Sequence, residues 1–187
     1  MPDGLVREPL GDCMRTLRCG PLTLEPQMAL HAGEMFGVLS DPAIYEYENA
    51  PPASVDALRA RYAKLESRRS GDGREQWLNW VIRMDGAGLI GYVQATVHAN
   101  GSAAIAYEMA SAHWGRGLGR QATQAMIEEL TDHYGVTTLF AVAKARNYRS
   151  LRLLERLGFA RAGPELSAAR GLKPDEALMF RAAAMMR

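Results

Sequence analysis

The strongest constraint in this chain is a five-residue stretch, Gly115-Arg116-Gly117-Leu118-Gly119, set directly ahead of a segment with helical spacing. Three glycines in five positions let the backbone turn tightly and let a ligand approach the main chain. The first N–H groups of the helix that follows have no partner within it, and its dipole favours negative charge at that end. The stretch therefore suits a phosphate or pyrophosphate. The plainer alternative is a tight turn that only starts a helix.

Two common phosphate loops fail on these residues. A P-loop needs Lys followed by Ser or Thr after its last glycine, and here Arg120 and Gln121 follow Gly119. Gly117-x-Gly119-x-x-Ala122 matches the dinucleotide fingerprint on paper, but that motif turns straight out of the first strand of a βαβ unit. Ser111-Ala112-His113-Trp114 intervene here, and the next strand ends Val142-Ala143-Lys144, without the acidic residue a ribose needs.

The surrounding pattern gives the loop its setting. Alternation marks strands at 22–24, 77–83, 89–98, 103–110 and 137–143, with shorter ones at 159–162 and 177–183. Helical spacing covers 28–39, 55–68 behind a Ser54 cap, 120–134 and a segment capped by Asn147 that ends at Leu157-Gly158. Helices, an antiparallel meander, strand-loop-helix-strand, a further helix and final strands make an α+β (mixed α/β) chain. Residues 1–15 read as a loose leader and 16–187 as one domain, a length that suits a single core. A formal net charge of +1 argues against a nucleic-acid partner. Cys13 and Cys19 read as free thiols, the four histidines are scattered, and no metal site is expected. No signal peptide and no membrane-length apolar run is seen, so a cytoplasmic protein is expected.

Two segments, AYEMASAHWGRGLGRQATQAM and AKARNYRSLRLLERLGFARAG, resemble the GNAT superfamily of acetyl-CoA-dependent N-acetyltransferases, at the spacing the family uses. A fainter likeness, LTLEPQMALHAGEMFGVLSDPAIYEY, is similar to the branch that acetylates ribosomal-protein N-termini. The resemblance implies a central, mostly antiparallel, splayed sheet flanked by helices, with acetyl-CoA as acyl donor and no metal. It implies that Gly115, Arg116, Gly117, Leu118, Gly119 and Arg120 present backbone N–H groups to the pyrophosphate, with Trp114 just before them. Tyr107 to Met109 would pair with the pantetheine arm, and an N–H near Met109 would hold the acetyl oxygen. Asn147 would hydrogen-bond the cofactor, and Ser150 would stand near its sulfur. Many members carry a Tyr seven residues after that Asn; this chain has Leu154, and the resemblance to that branch implies that Ser150 would take the acid's role.

The acceptor is expected to be a primary amine, on a protein N-terminus or a small molecule. Glu108, Glu46, Glu48 and His98 are candidate bases, and the three acids hint at a cationic cleft that Tyr45, Tyr47, Trp77 and Trp80 would line. Glu108 alternates with Tyr107 and Met109, which turns it toward the opposite side of a strand. A non-catalytic CoA-binding sensor with the same fold is the alternative, and a homodimer stays open.

Overall fold

The computed structural model describes residues 14–47 and 50–182. An eight-stranded sheet runs in the order β1-β2-β3-β4-β5-β6-β8-β7. The strands are β1 Leu17–Cys19, β2 Leu22–Pro26, β3 Glu75–Met84, β4 Gly88–His98, β5 Ser102–Met109, β6 Thr138–Lys144, β7 Ala160–Arg161 and β8 Glu176–Ala182. β1 to β5 form an antiparallel meander, β6 lies parallel to β5, and β8 is antiparallel to both β6 and β7. The helices are α1 Ala32–Val38, α2 Val55–Leu65, α3 Leu118–Asp132, α4 Tyr148–Arg156 and α5 Pro164–Ala169. The expected mostly antiparallel, splayed sheet flanked by helices is what the chain forms.

Strand alternation divides the apolar residues between the two faces. Leu78, Trp80 and Ile82 of β3 join Val93, Ala95 and Val97 of β4 and Ile105 and Met109 of β5 beneath α3 and α4. Leu118, Ala122, Met126 and Leu130 form the buried stripe of α3, and Leu151, Leu154 and Leu157 close the core from α4. On the opposite face, Val81 and Leu89 pack against Met35 of α1 and Leu58 and Tyr62 of α2. The register between β3 and β4 shifts at Ile82/Arg83, where Ile90 is the extra residue of a bulge. That shift lets Ile90 and Val93 face one core while Leu89 faces the other.

The chain before β1 is tied to this frame at Met14 and Arg15. Met14 is buried in the larger core, Arg15 makes an ion pair with the nearly buried Glu129 of α3, and the Trp80 indole donates to the Arg15 carbonyl at 2.9 Å. Residues 1–13, the rest of the expected leader, lie outside the described residues, as does Cys13; Cys19 is a half-buried free thiol.

Several boundaries differ from the sequence expectation for local reasons. The 28–39 helix divides into a 3-10 turn, Ala29–His31, and α1, because His31 Nδ1 accepts from the Met28 N–H at 3.0 Å and closes its own turn first. α2 stops at Leu65 rather than 68. The Ser67 hydroxyl donates to the Lys64 carbonyl there, and Arg68 adopts φ 57 while its guanidinium reaches the Gln27 carbonyl at 2.6 Å. The three-residue β1 and the six-residue α5 are too short to show a period. No helix among the described residues is long and apolar enough to cross a membrane.

Gly91 marks the closest approach of β4 to β5. A Cβ there would stand 2.2 Å from the Glu108 carbonyl oxygen and 2.9 Å from the Met109 Cα. Gly91→Ala is expected to push the end of β5 outward and lower stability by about 1–3 kcal/mol, the usual range for overpacking. Urea denaturation measures it, and an unchanged midpoint would show that the two strands separate freely.

Candidate functional site

β5 and β6 pair only at Ser102↔Thr138, Ala103↔Leu139 and Ala104↔Phe140, then part. The Ala110 N–H donates to the Ile90 carbonyl at 2.9 Å, across the β4–β5 edge. In an antiparallel ladder, alternate residues bond to the same neighbour. Glu108 and Ala106 therefore spend their backbone groups on β4, while Tyr107 and Met109 present theirs toward the gap. The Met109 carbonyl is taken by the Trp114 indole N–H at 2.7 Å. The alternation turns the Tyr107 N–H and carbonyl and the Met109 N–H toward the gap.

The gap opens into a cavity of about 650 Å³ that reaches both faces of the sheet. One end is the glycine stretch. Gly115 and Gly117 have φ 74 and φ 78, left-handed values that favour glycine, and Gly117 caps α3 with no side chain. The first helical bond is Gln121 N–H to the Gly117 carbonyl, so the N–H groups of Leu118, Gly119 and Arg120 have no acceptor within the helix. Gly119 serves packing: a Cβ would meet Leu153 of α4 at 3.3 Å. Helix α3 starts at Leu118, two residues ahead of the expected start, because its cap is a left-handed glycine rather than a polar side chain. Trp114 lines the cavity beside the stretch, with the Arg149 guanidinium stacked 3.7 Å from its ring centre. Gly115, Gly117, Leu118, Gly119 and Arg120 line the cavity; Arg116 is exposed and does not.

The middle of the cavity is held by α4. Asn147 caps that helix, its side-chain oxygen accepting from the Ser150 N–H at 3.1 Å. The Ser150 hydroxyl lies 2.7 Å from that of Tyr107. Burial pushes the Tyr107 phenol up to about 12, against a smaller lowering by its bond to Ser150. Leu154 is buried in the larger core.

The far end lies on the opposite face, beneath the Pro42–Tyr45 turn and α2. Tyr92 and Glu108 are cross-strand partners there, and Tyr45, Tyr62 and Arg61 complete the wall. Burial, then the nearby Glu108 charge, raises the Tyr92 and Tyr45 phenols; burial takes Tyr62 to about 12. Tyr47 also lines this end, with the Arg146 guanidinium 5.7 Å from its ring centre.

The candidate bases separate on position. Glu108 reaches the cavity, on the face opposite to Tyr107 as alternation implied. Glu46 is exposed and does not line it, and Glu48 lies outside the described residues. His98 sits at the end of β4 with Nδ1 3.6 Å from Glu75, and does not line the cavity. Trp80 is core, and Trp77 donates to Glu75 at 3.1 Å; neither lines the cavity. The expected three-acid cleft reduces, among the described residues, to Glu108, whereas Arg61, Arg120, Arg149 and Arg156 also line it. Sequence reading passed over Tyr62, Tyr92 and Arg61. Tyr62 is carried to the cavity by the packing of α2 on the sheet, and only the sheet's register sets Tyr92 beside Glu108.

Comparison with known proteins identifies the family and the fold. A profile of the acetyltransferase (GNAT) domain matches residues 21–160. The uncharacterized N-acetyltransferase p20 of Bacillus licheniformis is 26% identical over 153 residues, covering 80% of this chain and 85% of that protein. RimL, a ribosomal L7/L12 alpha-N-protein acetyltransferase solved in complex with coenzyme A, superposes with a TM-score of 0.76 at 15% identity, covering 90% of this chain and 98% of RimL. The ribosomal-protein-S5-alanine acetyltransferase of Vibrio fischeri gives 0.74 at 16% identity, covering 93% and 100%.

Asp41 links the two ends of the cavity. One carboxylate oxygen accepts from the Ala43 N–H at 3.0 Å and the other from the Ser111 N–H at 2.7 Å, just ahead of the glycine stretch. Hydrogen bonding from Ser111 holds this carboxyl below its ordinary range. A depressed folded-state pKa gives stability that is present above the unfolded value and lost as pH falls through the folded one. Asp41→Ala is expected to cost about 1 kcal/mol at neutral pH. The difference from wild type should shrink in acid below about pH 4. Denaturation at both pH values measures it; a pH-independent difference would remove the carboxylate from this account.

Proposed function

The chain belongs to the GNAT family of acetyltransferases, as an N-acetyltransferase that uses acetyl-CoA, and from that premise we propose how its residues divide the reaction. The carrying observation is the continuous path from the glycine stretch, along the open edge of β5, to Ser150 and out to Glu108 on the other face. The N–H groups of Leu118, Gly119 and Arg120, with the turn at Gly115 to Gly117, receive the pyrophosphate of acetyl-CoA. Arg116 contributes to that turn through its backbone. Trp114 walls the same end. The open groups of Tyr107 and the Met109 N–H align the pantetheine arm and its thioester. The Met109 N–H faces the acetyl oxygen as charge develops on it, which is where such a donor lowers a barrier most. Asn147 has its amide nitrogen left for the donor, because its oxygen is committed to the α4 cap. Ser150 meets the leaving sulfur.

The acceptor is a primary amine that enters from the α1–α2 face. It must be neutral to attack. At pH 7 about one in seven α-amino groups is neutral, against about one in a few thousand free lysines. Glu108 is placed to accept the proton, directly or through water, with Glu48 a second base. With Glu108 the one described acid there and Arg61 on the same wall, that end does not suit a polycation. It suits a single amine on a neutral or anionic body, such as a protein N-terminus or a small amino compound. The ribosomal-protein acetyltransferases that share the fold are consistent with the first of these. Near-neutral net charge speaks against a nucleic-acid partner, and a cytoplasmic enzyme is part of the same reading. The residues 16–187 act as one domain in this reading. No observation favours a non-catalytic sensor, since Ser150 occupies the place that Leu154 leaves empty.

Following free-thiol release from acetyl-CoA with a panel of amines tests the assignment. Peptide N-termini and amino compounds are expected to turn over, and polyamines poorly. Robust turnover of polycations alone would overturn the acceptor reading. Gly117→Glu places bulk and negative charge where the pyrophosphate docks, in a backbone conformation that disfavours any side chain, and is expected to abolish thermal stabilisation by CoA. Undiminished stabilisation would remove the glycine stretch as the anion site.

A further inference from the structure

The hydroxyl pair at the centre of the cavity comes from two elements that sequence separates widely. Alternation along β5 turns Tyr107 toward α4, together with Ile105 and Met109, and its hydroxyl lies 2.7 Å from Ser150 Oγ and 3.2 Å from the Ser150 carbonyl oxygen. That carbonyl sits inside α4, where it also serves the helix ladder, so the shorter contact is the principal one. Ser150 is held from the other side by the Asn147 cap. A serine hydroxyl has one proton and a free rotor. Left alone, the proton has several places to point.

We propose that Tyr107 is a positioning residue for the acyl transfer: its phenol donates to Ser150 Oγ and thereby directs the single Ser150 proton into the cavity, toward the leaving sulfur. The inference rests on the reading of Ser150 given above. The phenol suits the task because burial keeps it protonated across the working range; it donates and does not titrate. In the step itself, the acceptor nitrogen forms its bond to the acetyl carbon, the carbon–sulfur bond breaks, and its electron pair goes to sulfur. One proton then leaves the acylated nitrogen through Glu108 or water. The developing thiolate is met by the Ser150 hydroxyl. A thiol of pKa about 8.5 is a far weaker base, as thiolate, than the oxygens of Ser150 or Tyr107 would be if ionised. Both hydroxyls therefore end the step with their protons, and the thiolate takes its proton from water. The pair lowers the barrier as oriented donors rather than as a proton source.

Tyr107→Phe, Ser150→Ala and the double variant test this by steady-state kinetics, with CoA-induced thermal shifts as the check on folding and donor binding. Tyr107→Phe is expected to lower kcat about tenfold, the effect of one well-placed hydrogen bond to developing charge. The KM for acetyl-CoA and the CoA-induced shift should stay near wild type. Ser150→Ala should cost at least as much, and adding Tyr107→Phe to it should cost nothing further, because the phenol acts only through the serine. Independent, multiplying losses would overturn the proposal, as would a Tyr107→Phe defect confined to KM or stability. A silent Tyr107→Phe beside a damaged Ser150→Ala would overturn the tyrosine's role and leave that of Ser150 standing. A silent Ser150→Ala would overturn both.

Discussion

The rest of the molecule depends on the parting of β5 and β6 after three paired residues. A parallel pair inside a sheet ordinarily continues, since every unpaired edge leaves backbone donors and acceptors without partners. Here Tyr107 and Met109 keep theirs unpaired by the sheet, and Ser150 of α4 lies against Tyr107 where the strands have parted. The absent side chain of Gly91 lets β4 lie close against the end of β5, so the edge is backed on one side while the other is free. The Trp114 indole donates to the Met109 carbonyl at the end of that edge, which leaves the Met109 N–H as the group turned to the gap.

Splitting the sheet also divides the labour of its faces. On the α3–α4 face the chain supplies N–H groups, arginines and the Tyr107–Ser150 pair, which suit an anionic donor and its leaving group. On the α1–α2 face it supplies tyrosines and Glu108, which suit an amine. A single strand serves both, because successive side chains of β5 point to opposite sides. Asp41 joins the two faces at their common edge by bonding the acceptor-side turn to the segment ahead of the glycine stretch. The placement of donor and acceptor is thereby one problem of backbone geometry, solved once.

The charge distribution decides how far the acceptor can be narrowed. An acid placed by sequence in a lining segment need not line the cavity: Glu46 is exposed although Tyr45 and Tyr47 on either side of it reach the cavity. Glu108 reaches the cavity because its strand position, and not its neighbourhood in sequence, carries it there. Arg61 stands on the same wall as Glu108, so a polycation entering from that face meets a like charge in a partly desolvated space.

What the sequence determined by itself was local. Gly115 and Gly117 announce left-handed turns, Ser54 and Asn147 announce helix caps, and alternation announces the meander; each depends on the bonding or φ of a few adjacent residues. The glycine stretch with the Asn147–Ser150 pair was sufficient to indicate the family and its donor. Elements too short to show a period, β1 and α5, stayed hidden, and the 28–39 helix was drawn too long because a side-chain contact from His31 overrode its periodicity. Only the tertiary structure decided which groups face one another. The register of β4 on β5 sets Tyr92 beside Glu108, the packing of α4 sets Ser150 against Tyr107 across 43 positions, and the parting of the strands leaves the Met109 N–H open. Those facts are long-range because hydrogen bonds and packed faces, not sequence neighbours, fix where strands and helices stop pairing.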